Sequence, residues 1–410
     1  MVGPVESSLR AGVLTATLVF FGATAPPSAG PAADVKIGIL GGLSGPIESL
    51  VGPIVNAQKL AVTHVNAEGG LLGGQTLVTV IGDTGCADTT ATANAADRLV
   101  NTENVVAIAG ALCSDATISA ANNVTVPGNV VMVSPASTSP PISGLDDQDL
   151  VFRVAPSDVY QGEVLARLLL AKGFAKIAIA HIDTDYGKGL ADAIESTIAA
   201  LGGTVALSLE HEDGKDDYGA DVAALAAAGA PTLVIVAYGN GSGLILLRQA
   251  IESGAFKHFA GTDGMFSQTL VESLEADDIE GLIVTRIGEP NMPGLERYGS
   301  LAAAAGLDPA APFVAQGYDS VFLLALAIEK NGTADRAGLS AALREVSSPP
   351  GEILYPGEWQ RALEILKAGG DLNYEGASGS HDFDKNGDVP GSIIEMVVRN
   401  GAFVEVGEAH

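Results

Sequence analysis

A few small polar residues fall at the carboxyl ends of strand-like runs, and their types suit recognition of a small zwitterion. Ser114 comes shortly after the run Val105–Ala109. Ser134-Pro-Ala-Ser-Thr138 closes the next run, Asp263 lies in a Gly-Thr-Asp-Gly turn, and Tyr186 opens a helix-like stretch. A free α-amino acid carries a carboxylate, which hydroxyls and backbone N–H groups at a helix start or loop can meet. Its ammonium calls for a carboxylate and other oxygen acceptors. Ser114 and the loop Ala136, Ser137 and Thr138 are groups of the first kind, and Asp263 is of the second. Singly, each residue has a plainer role: Ser114 and Thr138 as helix caps, Tyr186 as a rim aromatic, Asp263 as a turn former. Their joint placement at strand carboxyl ends, where open α/β sheets bind ligands, favours a site.

The elements that must position these residues alternate between apolar runs and amphipathic stretches. Strands are expected at 35–40, 76–82, 104–110 and 129–134, with helices over 53–67, 88–101 and 115–122. The pattern then restarts. Helices are expected over 158–172, 186–201, 217–228 and 243–253, and strands at 176–181, 204–210, 232–237 and 281–286, followed by a helix over 314–330. This is βαβ grammar and predicts parallel sheets covered on both faces, in two similar doubly wound lobes.

The chain has two cysteines, Cys86 and Cys113, each just beyond a strand-like run. Behind a secretion signal, a lone pair reads as one disulfide. Joining two strand ends, it would stiffen the rim that carries Ser114.

Other motifs fail on context. Gly69-Gly-Leu-Leu-Gly-Gly-Gln-Thr76 mimics a phosphate loop, but Gln75 stands where the lysine belongs and the helix precedes the strand. Gly239-Asn-Gly-Ser-Gly243 has a misplaced third glycine for a dinucleotide fingerprint. Asp382-Phe-Asp-Lys-Asn-Gly-Asp388 resembles the start of a calcium loop, yet Ile393 stands where the bidentate glutamate belongs, and Asn386-Gly387 signals a hairpin turn. No nucleophile elbow, zinc helix or paired-cysteine knuckle is present. Neither catalysis nor a metal or other cofactor is expected.

The net charge of −28 argues against nucleic acid or an anionic membrane surface as partner. Arg10 ends a short amino-terminal region, Ala11–Ala25 is an apolar stretch broken by Gly and Thr, and a Pro/Ala/Ser/Gly segment runs to Ala33. That is the pattern of a cleaved secretory signal over 1–33, too short in its apolar part for a span of about 20 residues. No cysteine lies near it, so no lipid anchor is expected, and the mature protein should be exported and soluble.

Several segments together resemble one family. They are Leu43-Ser-Gly-Pro46, Asn66-Ala-Glu-Gly-Gly70, Cys86 with Leu112-Cys-Ser114, Ser134-Pro-Ala-Ser-Thr138, Asp185-Tyr-Gly187, Leu247-Arg-Gln-Ala250 and Glu280-Gly-Leu282. In this order the chain resembles the periplasmic binding proteins of branched-chain amino-acid ABC transporters, the leucine/isoleucine/valine-binding type. The resemblance implies a type I periplasmic-binding clamshell with a three-stranded hinge near 156, 286 and 380. Residues 34–156 plus 287–380 would form the N-terminal lobe, and 157–286 plus 381–410 the C-terminal lobe. It implies a ligand carboxylate on Ser114 and the backbone of Ala136 and Thr138, an ammonium near Asp263, and Tyr186 on the opposing lobe. The partners it implies are a small-molecule ligand and a membrane permease, served by a periplasmic monomer with no cofactor. Two positions depart from the family pattern. Ile47-Glu-Ser-Leu-Val51 replaces a frequent aromatic, and the second aromatic position falls on Gly239, with Tyr238 one place earlier. Both changes touch the side-chain pocket. The alternative is the same clamshell holding a carboxylate without an amine, such as an aromatic acid, or a small amide.

Overall fold

The computed structural model describes residues 1–8, 12, 33–45, 47–288 and 292–410. Met1–Ala32 forms a unit of its own, whose described residues carry no regular secondary structure. Most of the expected signal segment therefore lies outside the described residues. Ala33–His410 forms the second unit and contains every strand and helix discussed below.

Two sheets organise it. The first contains β1 (Val35–Gly41), β2 (Leu77–Asp83), β3 (Ala107–Gly110), β4 (Val131–Ser134) and β5 (Val151–Arg153), all parallel, in the order β2-β1-β3-β4-β5. The second contains β6 (Lys176–Ile182), β7 (Thr204–His211), β8 (Thr232–Val236), β9 (His258–Gly261) and β10 (Ile283–Gly288). A short parallel pair, β11 (Glu352–Leu354) and β12 (Leu372–Tyr374), stands apart. β13 (Ser392–Arg399) and β14 (Ala402–Ala409) complete the second sheet, whose order is β14-β13-β10-β9-β8-β6-β7. β6 to β10 pair in parallel, while β13 runs antiparallel to both β10 and β14. The central strands are continuous apolar runs because helices cover both faces; Thr232–Val236 is buried throughout.

The expected elements recur with shifted ends. The helix expected from residue 53 begins at Glu48, five residues earlier, and contains Pro53. Burial of Val51 and Ile54 offsets the hydrogen bond that proline cannot donate. The strand expected at 281–286 is β10, two residues later. The β13–β14 hairpin was not anticipated. Its Asn400-Gly401 turn has both residues at positive φ, 52° and 75°, as a tight hairpin demands.

The helix Val314–Asn331 is buried on all sides from Val314 to Ile328. It packs against the helix Glu48–Ala67 at Gly317, where a Cβ would press on the Ile54 carbonyl. This contact carries the start of the buried helix, and with it Phe313, to the edge of the cleft between the sheets. Among the described residues, no helix is long and apolar enough to cross a membrane.

Candidate functional site

The first wall of the cleft grows from the ends of β3 and β4. After β3 the chain turns through Gly110, at φ 149°, where a Cβ would collide with the Leu40 carbonyl. Cys113 follows and is disulfide-bonded to Cys86, with Cα atoms 5.3 Å apart. The expected pairing is present, and both cysteines are buried. Ser114 then opens the helix Ser114–Ala120. Its Oγ accepts the N–H groups of Thr138 (3.2 Å) and Ser139 (3.1 Å). The Thr138 N–H, expected to meet a ligand carboxylate, is thus turned to Ser114. The Ser114 hydroxyl proton is not used in these bonds.

The loop after β4 is held from below. Ser134 Oγ donates to the Ala111 carbonyl (2.6 Å) and accepts the Ser137 N–H (3.0 Å). Ser137, expected among the ligand contacts, points into this scaffold instead. Its hydroxyl lies 2.7 Å from Thr117 Oγ1 and 3.1 Å from the Ala111 carbonyl, and it does not line the cavity. Thr138 Oγ1 donates to Asp158 Oδ2 (3.0 Å), and the Asp158 N–H returns a bond to the Thr138 carbonyl (2.9 Å).

The second wall comes from the other sheet. Thr184 caps the helix Asp185–Ala200 by accepting the Gly187 N–H, which presents Tyr186 to the cleft. The Tyr186 hydroxyl donates to Asp263 Oδ1 (2.8 Å), accepts the Gly264 N–H (3.2 Å) and lies 2.9 Å from Thr262 Oγ1. Tyr238 stacks on Tyr186, with ring centroids 5.5 Å apart and 17° between planes. At Gly239 a Cβ would meet Ser267 Cβ and the Met265 carbonyl, so an aromatic cannot stand there, and Tyr238 supplies the ring instead.

The cavity left between these walls is narrow, about 40 Å³, below the roughly 300–1,000 Å³ typical of small-molecule sites, so a ligand of amino-acid size requires the walls to part. Six of the residues expected in the site line it: Ser114, Ala136, Thr138, Tyr186, Tyr238 and Asp263. Ile47 and Leu50, from the segment expected at the side-chain pocket, also line it, whereas sequence reasoning missed the apolar lining of Ile54, Leu112, Pro312 and Phe313. Phe313 supplies an aromatic face from the far end of the chain, at a left-handed φ of 59°. Its turn had no recognisable signal, although Leu112 was legible as the neighbour of Cys113.

Charge in the cavity is one-sided. Burial raises the Asp263 carboxyl against the opposing bonds from Tyr186 and Gln161. Burial, and then the nearby Asp263 charge, push Asp158 well above the usual carboxylate range. Asp158 Oδ1 is buried without a hydrogen-bond partner. Burial likewise raises the phenols of Tyr186 and Tyr238, with Asp263 adding to both, so each stays a neutral donor. The cavity offers hydroxyls on one wall, the Asp263 carboxylate and stacked rings on the other, and apolar groups between. A bound cation would relieve the paired carboxylates. No histidine lines it, and among the described residues no cluster of three or more His, Cys, Asp or Glu could hold a metal ion.

The walls also touch outside the cavity. The Asp185 N–H donates to Asp115 Oδ1 (3.0 Å), and Ser139 Oγ donates to the Asp185 carbonyl (2.7 Å). The stretch expected as a hairpin turn or calcium loop is a tight turn. Asp384 Oδ1 accepts the N–H groups of Asn386 and Asp388, and the Asp388 carboxylate is engaged by Arg153 and Ser143.

Comparison with known proteins agrees with this geometry. The family described as "Receptor family ligand binding region" matches residues 54–398. The leucine-, isoleucine-, valine-, threonine- and alanine-binding protein of Pseudomonas aeruginosa is 31% identical over 76% of this chain and 83% of its own length. The solved leucine-binding protein LivK of Thermotoga maritima superposes with a TM-score of 0.76 at 25% identity, covering 92% of this chain and 99% of that one. An ABC-transporter substrate-binding protein of Desulfitobacterium hafniense, solved in complex with leucine, gives 0.69 at 26% identity over 91% and 100%. Sheet order, cleft and sequence together place this chain in the receptor ligand-binding-region family, alongside the leucine/isoleucine/valine-binding proteins.

Proposed function

We propose that this protein captures a free α-amino acid with an aliphatic side chain and delivers it to the membrane permease of an ABC importer. One observation carries the reading. A single cavity joins the Ser114 hydroxyl at a helix start, the Asp263 carboxylate under two stacked tyrosines, and an aliphatic lining. The ligand carboxylate accepts a hydrogen bond from the Ser114 hydroxyl and one from the Ala136 N–H, which is held only by a long 3.4 Å contact to Ser134 Oγ, while Thr138, whose N–H and hydroxyl are already engaged, shapes the wall. The ammonium sits at Asp263 and against the faces of Tyr186 and Tyr238. The side chain rests on Leu50, Leu112 and Phe313. The likeness to relatives named for leucine, isoleucine and valine binding supports this choice.

The mechanism is capture by closure. The lobes are 34–156 plus 287–380 and 157–286 plus 381–410, and the crossings near 156, 286 and 380 act as hinges. The protein works as an exported monomer in the periplasm. Each charge-assisted hydrogen bond contributes about 1.5–3 kcal/mol. Burial of a leucine-sized side chain adds about 1.5–3 kcal/mol. Four or so such bonds then support binding of about micromolar strength after association and ordering costs.

A thermal-shift panel of amino acids, aromatic carboxylates and small amides, followed by calorimetry, tests the assignment, because ligand binding to the folded state raises apparent stability. Aliphatic L-amino acids should give the largest shifts. A response confined to aromatic acids or amides would replace the amino-acid reading with the alternative ligand class.

A further inference from the structure

Arg153 is fully buried at the end of β5, and its guanidinium is the centre of a network in which Arg153, Ser143 and Asp388 all stand behind the cavity lining. Its Nε donates to Asp388 Oδ1 at 2.6 Å. One terminal nitrogen, Nη1, donates to two successive carbonyls of the ligand loop, Thr138 (2.6 Å) and Ser139 (3.0 Å). The other, Nη2, donates to Ser143 Oγ (2.7 Å), which itself donates to Asp388 Oδ2 (2.7 Å). A backbone bond from the Arg153 N–H to the Gly387 carbonyl (3.0 Å) lays the 387–388 segment beside β5. That approach requires glycine: Gly387 has φ 74°, and a Cβ there would strike the Val151 carbonyl.

The loop carbonyls are therefore fixed by a side chain whose counter-charge arrives from 235 residues away, on the chain between β12 and β13. Holding the Thr138 carbonyl fixes the peptide plane whose opposite edge is the Ser139 N–H, and so directs that N–H to Ser114. A guanidinium suits this task because its planar fork serves several acceptors in fixed directions, where an ammonium is a point charge. With Asp388 removed, the buried charge loses its partner, and its hold on the two carbonyls loosens.

We infer that Arg153 and Asp388 form a positioning pair that ties the ligand loop 136–139 to the last crossing between the sheets, so that the loop and this crossing move as one body. The inference rests on the amino-acid-binding reading for its ligand arm only. Neither residue touches the ligand; each acts through Thr138 and Ser139.

The test compares wild type with Asp388→Asn and Ser143→Ala in the full mature chain. Two readouts are used: calorimetric affinity for L-leucine, or for the amino acid the wild type prefers, and hydrogen exchange in the ligand-free protein. Asp388→Asn should weaken binding at least about tenfold, in the range seen when one partner of a buried charge pair is removed. Exchange at the 136–139 amides should rise by about tenfold or more, while β1 and β3 keep their protection. A purely structural pair would instead lower the melting temperature and raise exchange across the whole sheet, with the affinity of the folded fraction unchanged; that result overturns the inference. Should Asp388→Asn fail to fold, Ser143→Ala removes one bond from each partner. It should weaken binding about threefold and raise exchange at 136–139 first. No change in either readout overturns the inference equally. If wild type binds no amino acid at all, the functional reading fails, and the exchange arm still decides the role of the pair.

Discussion

Replacing Asp263 with asparagine is the sharpest perturbation of the site. The side chain keeps its size, and the bond from the Tyr186 hydroxyl can be kept through the amide oxygen. Only the charge goes. In the bound state the ligand ammonium would then face a neutral amide in a closed cleft. Removing one partner of a desolvated pair costs about 2–5 kcal/mol. The neighbouring Asp158, whose Oδ1 has no partner, can recover part of that attraction. A net loss of about 2–4 kcal/mol corresponds to a dissociation constant weaker by roughly 30-fold to several hundredfold. The empty protein should behave in the opposite sense. Burial, and then like-charge repulsion from Asp263, raise the carboxyl of Asp158, so neutralising Asp263 removes the second of these and should leave the ligand-free melting temperature unchanged or higher. Calorimetry with an aliphatic amino acid and with the 2-hydroxy acid of the same skeleton separates charge recognition from shape. Wild type should prefer the amine strongly, and Asp263→Asn should lose most of that preference. An affinity within twofold of wild type for the amino acid would refute the assignment of Asp263 to the ammonium.

The raised Asp263 carboxyl gives affinity and stability opposite pH dependences. Ammonium binding needs the charged carboxylate, so affinity should fall on acidification at a pH above the ordinary aspartate range. For Asp158 and Asp263 the folded state favours the protonated form. Their contribution to ligand-free stability is therefore full below the ordinary carboxyl range and is lost as pH rises through the raised values. Melting curves of Asp158→Asn against wild type from acid to neutral pH check the sign, with the variant gaining most at neutral pH. Reduction of Cys86–Cys113, which spans 27 residues, should cost about 3.5 kcal/mol by loop entropy. It should also weaken binding, because Cys113 fixes the start of the helix that presents Ser114; calorimetry under reducing conditions reads both. Asp115→Ala removes the bond to the Asp185 N–H that joins the two walls. It should speed ligand release several-fold in stopped-flow traces while leaving the melting temperature within a degree or so of wild type, since it acts on closure and not on either core.

Local pattern was enough for most of the framework. Strand and helix periods depend on neighbours a few residues apart, so β1, β6 and β8 and the helix Asp185–Ala200 stood out as apolar or amphipathic runs. The restart of the βαβ pattern near residue 157 carried the idea of two lobes. Ser114, Tyr186 and Asp263 were legible because each follows a strand or opens a helix, where α/β sheets present their ligands. The β13–β14 hairpin was also within reach, since Asn400-Gly401 is as strong a turn signal as Asn386-Gly387.

Tertiary structure decided the rest, because it depends on contacts between residues far apart in the chain. Ser137 and Thr138 are adjacent and both hydroxylated, yet loop packing turns the Ser137 hydroxyl to Thr117 and leaves Thr138 on the cavity. Phe313 becomes part of the lining only because the buried helix Val314–Asn331 packs on the helix Glu48–Ala67 and carries its own start to the cleft. Asp388 read as a turn former or a metal ligand, and becomes the partner of Arg153 once Gly387 lies against β5. The order of polar groups along the chain was thus enough to suggest a small zwitterion as ligand. The packing of distant segments decided which of those groups line the cavity and which hold the others in place.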